Sequence, residues 1–177
     1  MTLIKHKSRN LRLNRYAKVW IAFREDVFAA VKATELRFLE TKLTPFEASH
    51  SVVKRMAYEF VLQHRATSKF NWIEAAISDD RDEGRTIRTR FDDNHFHHVM
   101  FGLSKHIHFG NYSITKWNVS RFAKQLLYAE RHEVPPEYLV GFLYQSGTIS
   151  EIEAKVDDPN FREDWFRKKM LEDSAAA

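Results

Sequence analysis

Apolar residues recur three and four positions apart along most of this chain, the period of a helix that buries one face. From about Leu13 to Leu43 the row is Tyr16, Val19, Trp20, Phe23, Val27, Ala30 and Val31, which predicts one long amphipathic helix, or two broken near Thr34. "TPFE" at 44–47 predicts the next helix start, with Thr44 as cap, Pro45 in the first turn and Glu47 closing a capping box. That helix runs to about His64 and turns Phe46, Val53, Met56, Ala57, Phe60 and Val61 inward. A short helix around Phe70 to Ile77 follows, and then "SDDRDEG" at 78–84, the most loop-like segment in the chain.

A third long helix is expected from about Arg85 to His106, ended by "HFGNYS", with Phe96, Val99, Met100, Leu103 and Ile107 on its buried row. Asn118 is expected to cap the next helix, whose apolar face is Val119, Phe122, Ala123, Leu126 and Leu127. It stops before "HEVPPE" because a residue preceding proline avoids the α region. Pro135 or Pro136 restarts a helix through about Tyr144, Gly147 ends it, and "TISE" at 148–151 is a second capping box. "DDPNFREDWFRKKMLED" closes the pattern, with Asp158 as cap and Phe161, Trp165, Phe166 and Met170 for packing. Five glycines and four prolines leave little room for turns, and apart from "GNYS" no segment reads as paired strands. The pattern predicts an all-α, compact single-domain bundle of about six to eight helices. That domain spans 1–174, with a basic N-terminal segment over about 1–14 and a tail at 175–177.

A chain of 177 residues without cysteine needs no staple, and it excludes disulfides, thiolate nucleophiles and Cys-rich zinc sites. The basic N-terminus lacks the apolar core and cleavage site of a signal peptide, and no stretch is long and apolar enough for a membrane span. The expected compartment is the cytoplasm, with no membrane partner and no cofactor. The net charge of +4 hides an uneven layout. Residues 1–75 carry 14 Lys and Arg against 7 Asp and Glu, whereas residues 133–177 carry 5 against 10. A basic front and an acidic back point to an anionic partner at one end, or to contact between copies.

Three basic clusters are candidates for phosphate contact. From Met1 to Arg24 the chain holds Lys5, Lys7, Arg9, Arg12, Arg15, Lys18 and Arg24, and its first acid is Glu25. Arg85 and Arg88, beside Arg81 and Arg90, form the second cluster. In the third, "KWNVSRFAK", Lys116, Arg121 and Lys124 accompany Trp117 at a helix start, where free amides favour anions and an aromatic can stack a base. Lys and Arg that neutralise phosphates release counterions, so such binding weakens with salt. No helix-turn-helix or zinc-finger spacing points to a specific sequence.

Five of the nine histidines fall between Asp93 and Gly110. His95, His98 and His106 share one row beside the buried one, and His95 with His98 could hold a divalent ion, with Asp92 or Asp93 adding an oxygen. The His-Glu-x-x-His pattern of helical zincins is absent, and ordinary packing or surface roles account for the row better than a metal does. Arg90 and His95, in "RFDDNH", have a spacing that resembles the Arg and His of the HEPN ribonucleases, although Phe91 stands where that family commonly has a polar residue. The resemblance implies a metal-independent ribonuclease in which Arg90 and His95, paired across a dimer, act on the RNA 2′-hydroxyl and scissile phosphate. The aromatic run "EYLVGFLYQSG" is either core or an interface for a protein partner or self-association, and with the acidic C-terminal region it would suit an adaptor or inhibitor. The leading expectation is non-catalytic: a DNA- or RNA-binding regulator or accessory subunit of a nucleoprotein assembly, contacting phosphates through its basic N-terminal half.

Overall fold

The structure, a computed structural model, describes residues 2–65, 70–81, 94–158 and 160–166, and of 2–14 and 79–81 it describes the backbone alone. The helical period decides the architecture. Helices α1 (Thr2–Glu40), α2 (Ser49–Arg65), α3 (Phe70–Arg81) and α4 (His95–Ser104) are followed by a hairpin of β1 (His108–Phe109) and β2 (Tyr112–Ser113). Then come α5 (Lys116–Arg131), a 3₁₀ turn at Pro136–Tyr138, α6 (Leu139–Gln145) and α7 (Ile149–Val156). The bundle is all-α, with this two-strand hairpin the only sheet among the described residues. No helix there is long and apolar enough to cross a membrane.

α1 is a single helix, continuous through Thr34 and begun well before Leu13. Thr34 does not break it because its hydroxyl donates back to the Ala30 carbonyl at 2.9 Å, which satisfies the side chain inside the helix. Trp20, Val27 and Val31 on its inner row are fully buried, and α1 packs mainly on α3 and α2. The Trp20 and Ile77 side chains lie against Gly102 of α4, where a Cβ would come within 2.7 Å of the indole and 2.8 Å of Ile77, so seating them there requires glycine.

"TPFE" forms a turn rather than the first turn of α2, and the helix begins at Ser49. The Glu47 carboxylate accepts from the Thr44 amide at 3.1 Å and the Thr44 hydroxyl at 2.9 Å, and it pairs with Arg37. The threonine hydroxyl thus donates to glutamate instead of accepting a helix amide, which leaves Phe46 half exposed rather than inward. The inward positions Val53, Ala57, Phe60 and Val61 are buried as the spacing predicts.

α4 begins at His95, capped by Asn94, whose side chain accepts from the His97 amide and donates to the Ala123 carbonyl on α5. Residues 82–93, including the expected start of this helix, lie outside the described residues. All five residues of its anticipated inner row, Phe96, Val99, Met100, Leu103 and Ile107, are at most 1% exposed. Gly110, in the left-handed region at φ +56°, turns the hairpin that follows. α5 is capped by Thr115 instead of Asn118. Thr115 is the residue with extended backbone and an acceptor hydroxyl, and Asn118 supplies the amide it caps.

The helix of α6 keeps Leu139, Val140, Phe142 and Leu143 in the core and leaves Tyr138 and Tyr144 exposed. Thr148 and Glu151 form both halves of the second capping box. The Asp158 carboxylate accepts from the Asn160 amide, and helical backbone begins only at residue 164, later than the Asp158 cap predicts. The strap at 160–166 carries Phe161, Trp165 and Phe166 onto the core, while residues from 167 on, Met170 among them, lie outside the described residues.

Candidate nucleic-acid interface and the adjoining cleft

α5 carries two neighbouring rows with different surroundings. Trp117, Arg121 and Lys124 lie four and three residues apart, as do Asn118, Phe122 and Gln125 one position later. The first row faces outward. The Trp117 ring is 66% exposed, and the Arg121 guanidinium carbon sits 3.8 Å from its centroid, a cation–π stack. Arg121 is also held from α7, with Nη2 donating to Ser150 Oγ at 3.0 Å and Nε to the Glu153 carboxylate at 3.4 Å. Its charge is therefore shared with Glu153, and its position over the indole is fixed. Lys116 is exposed and Lys124 half-buried.

The second row forms a wall of a cleft of about 500 Å³, closed on the other sides by α2, the hairpin and the α6–α7 turn. Lys54 projects into the protein here, 8% exposed, with Nζ donating to Gln125 Oε1 at 3.2 Å and lying 5.1 Å from the Phe122 ring centroid. Burial pulls its ammonium down to about 8 from the usual lysine range. His50, whose ring is tilted 30° to Phe122, is held below the ordinary histidine value, first by burial and then by the Lys54 charge. Lys54 is thus the principal cation of the cleft at neutral pH, and among the described lining residues there is no aspartate or glutamate. Asn111, Asn118 and Thr148 add neutral hydrogen-bonding groups, and Tyr144 adds an exposed ring.

The remaining candidates are scattered. Arg15 and Lys18 are exposed on α1; Arg9 and Arg12 belong to the same helix, but their side chains, like Arg85, Arg88 and Arg90 altogether, lie outside the described residues. His95 is half-buried, with Nδ1 at 2.7 Å from a Glu74 carboxylate oxygen and its ring edge-on to Phe70, while His98 is buried within α4. Among the described residues no three His, Asp or Glu side chains gather as a metal site. His106 is near Arg24, at 3.3 Å from its guanidinium. The histidine stretch thus supplies individual contacts to α1 and α3, and His97 lies parallel to Phe101.

Sequence reasoning missed Lys54. One signal for it existed: Lys54, Ala57, Tyr58 and Val61 share the helical spacing of a buried face, so the lysine stands in an apolar row. No family model, no curated protein and no solved structure matches this chain.

Proposed function

We propose that the protein is a nucleic-acid-binding accessory protein that contacts phosphates through the first half of α1 and offers Trp117, with Arg121, as a stacking platform. The observation that carries this reading is the continuity of α1. The acid-free segment up to Arg24 belongs to one helix, so its seven cations are arrayed on a regular scaffold, with Arg15 and Lys18 exposed. Lys5, Arg9 and Arg12 are spaced four and three apart, in register with one another, a spacing that suits the repeating charge of a backbone. The exposed Trp117 ring supports a single-stranded ligand in particular, because every base has a face to stack and a duplex hides it. Arg85, Arg88 and Lys124 would add phosphate contacts.

The test is a titration of labelled single- and double-stranded DNA and RNA at two salt concentrations. Reversing two charges in the Arg12→Glu/Arg15→Glu variant is expected to weaken binding and to reduce the logarithmic salt slope by roughly 1.5 to 2. Binding that is the same in both proteins at low salt, or absent in both, refutes the proposal.

A further inference from the structure

We infer that the cleft between α2, α5, the hairpin and the α6–α7 turn binds a nucleotide unit, with its phosphate at Lys54 and its base against the exposed rings of His50 and Tyr144. This goes beyond the strand-binding surface and stands without it, because a free nucleotide can fill the cleft whether or not α1 holds a polymer.

Among the described residues, Lys54 is a buried charge whose hydrogen-bond partner is not a carboxylate. A buried ammonium ordinarily meets a carboxylate, since desolvation of an ion is costly. Lys54 meets an amide oxygen and the face of a phenyl ring, and its lowered proton affinity has burial as its cause. The cleft that it lines is open to solvent and without a lining acid among the described residues. A metal cation would be repelled there, and a neutral apolar ligand would deepen the desolvation of Lys54; an anion relieves it.

The walls narrow the class of anion. At about 500 Å³ the cleft falls among small-molecule sites and is too small for a folded partner. Beside the apolar Pro45, Val140, Leu143 and Ile149, its lining offers flat rings and neutral amide and hydroxyl groups, namely His50, Tyr144, Asn111, Asn118 and Thr148. A planar ring with hydrogen-bonding edges matches such a wall; an aliphatic tail would leave those groups without partners. A phosphate joined through a sugar to a base has both parts. The outward row of α5 lies one residue around the helix from the cleft row, so the unit can come from two sources, a free mononucleotide or the phosphorylated end of a strand lying across Trp117.

Calorimetric titration of the full chain with adenosine 5′-monophosphate, adenosine and inorganic phosphate tests the inference. The monophosphate is expected to bind at least roughly tenfold more tightly than either fragment, and Lys54→Met to weaken it by roughly ten- to hundredfold, the range of a charge-assisted hydrogen bond. Lys54→Arg should recover part of that loss. In the unmodified protein, the monophosphate should slow acylation of Lys54 by an amine reagent, read by mass spectrometry, and leave exposed Lys18 unaffected, which tests the site without relying on a variant that folds.

No binding of the monophosphate at millimolar concentration, equal binding of adenosine, or unprotected Lys54 would each overturn the inference. The Arg12→Glu/Arg15→Glu protein separates the two readings: monophosphate binding kept while strand binding is lost supports both, and strand binding without monophosphate binding removes the cleft alone. A 5′-phosphorylated hexanucleotide that displaces the monophosphate, when its 5′-hydroxyl counterpart does not, identifies the strand end as the source. Binding of the monophosphate alone identifies the free nucleotide.

Discussion

Lys54 and Lys155 both carry an ammonium toward the interior, and they end in opposite surroundings. Lys155 Nζ donates to the Ser146 carbonyl and to the Glu163 carboxylate, each at 2.7 Å. Glu163 in turn accepts from the Tyr128 hydroxyl and the Trp165 indole, both at 2.8 Å, and its backbone amide donates to His132 Nε2. His132 completes the circuit by donating from Nδ1 to the Tyr128 carbonyl. Every one of these groups has its partner within the chain, and the result is a clasp that fastens the strap at 160–166 to α5 and α7. Around Lys54 the circuit stops at one amide oxygen and opens onto a cleft. A polar cluster that is closed on itself explains stability; one left open toward solvent asks for a ligand.

The largest effect should come from opening the closed cluster. Glu163→Ala leaves Lys155, Tyr128 and Trp165 without their shared acceptor in a buried position. It is expected to cost about 3 kcal/mol of unfolding free energy in urea titration, and to expose Trp165. A loss under about 1 kcal/mol would mean that the clasp is incidental.

The second prediction uses pH to read the open cluster. Folded Lys54 gives up its proton near pH 8, whereas the unfolded chain keeps it to near 10.5. Between those values the unfolded state binds more protons, so stability rises with pH, by about 2 kcal/mol from pH 8 to 10. That rise should vanish in Lys54→Met, and a parallel pair of curves would show that Lys54 is well solvated. Above pH 10 the buried Tyr58 and Tyr128 and the half-buried Tyr112, all with raised proton affinity, pull the other way, so the difference between the two proteins is the informative quantity.

The smallest effect is the sharpest contrast. At pH 7, Lys155→Met should cost about 1 kcal/mol because it unpairs Glu163, while Lys54→Met should gain about 1 kcal/mol. Removing the desolvated charge outweighs losing the bond to Gln125 and the contact with Phe122. Denaturation midpoints of opposite sign uphold the distinction between clasp and cleft, and midpoints of the same sign dissolve it.

Much of the fold was legible because helical periodicity reports burial directly. The inner row of α4 and the inward positions from Val53 to Val61 follow from spacing alone, as does the Thr148–Glu151 box. Local caps were less legible, since the same short polar residues serve several geometries. A threonine three residues before a glutamate makes a capping box at Thr148 and a closed turn at Thr44, and Arg37, on the preceding helix, pairs with Glu47 in the turn. The candidate site divides in the same way. Trp117 and Arg121 meet because they are one helical turn apart. Lys54 becomes a site residue only through Gln125, 71 positions away, and a lone lysine on a helix gives no notice of such a partner.

The arrangement of tryptophans also equips the protein with an optical readout. Trp20 is sealed in the core, Trp72 on α3 and Trp165 in the strap are half-buried, and Trp117 stands at the surface beneath a guanidinium. A dissolved quencher such as iodide reaches the indole at 117 and not the one at 20. Anything that settles on the outer row of α5 is therefore visible as shielding of emission from unlabelled protein.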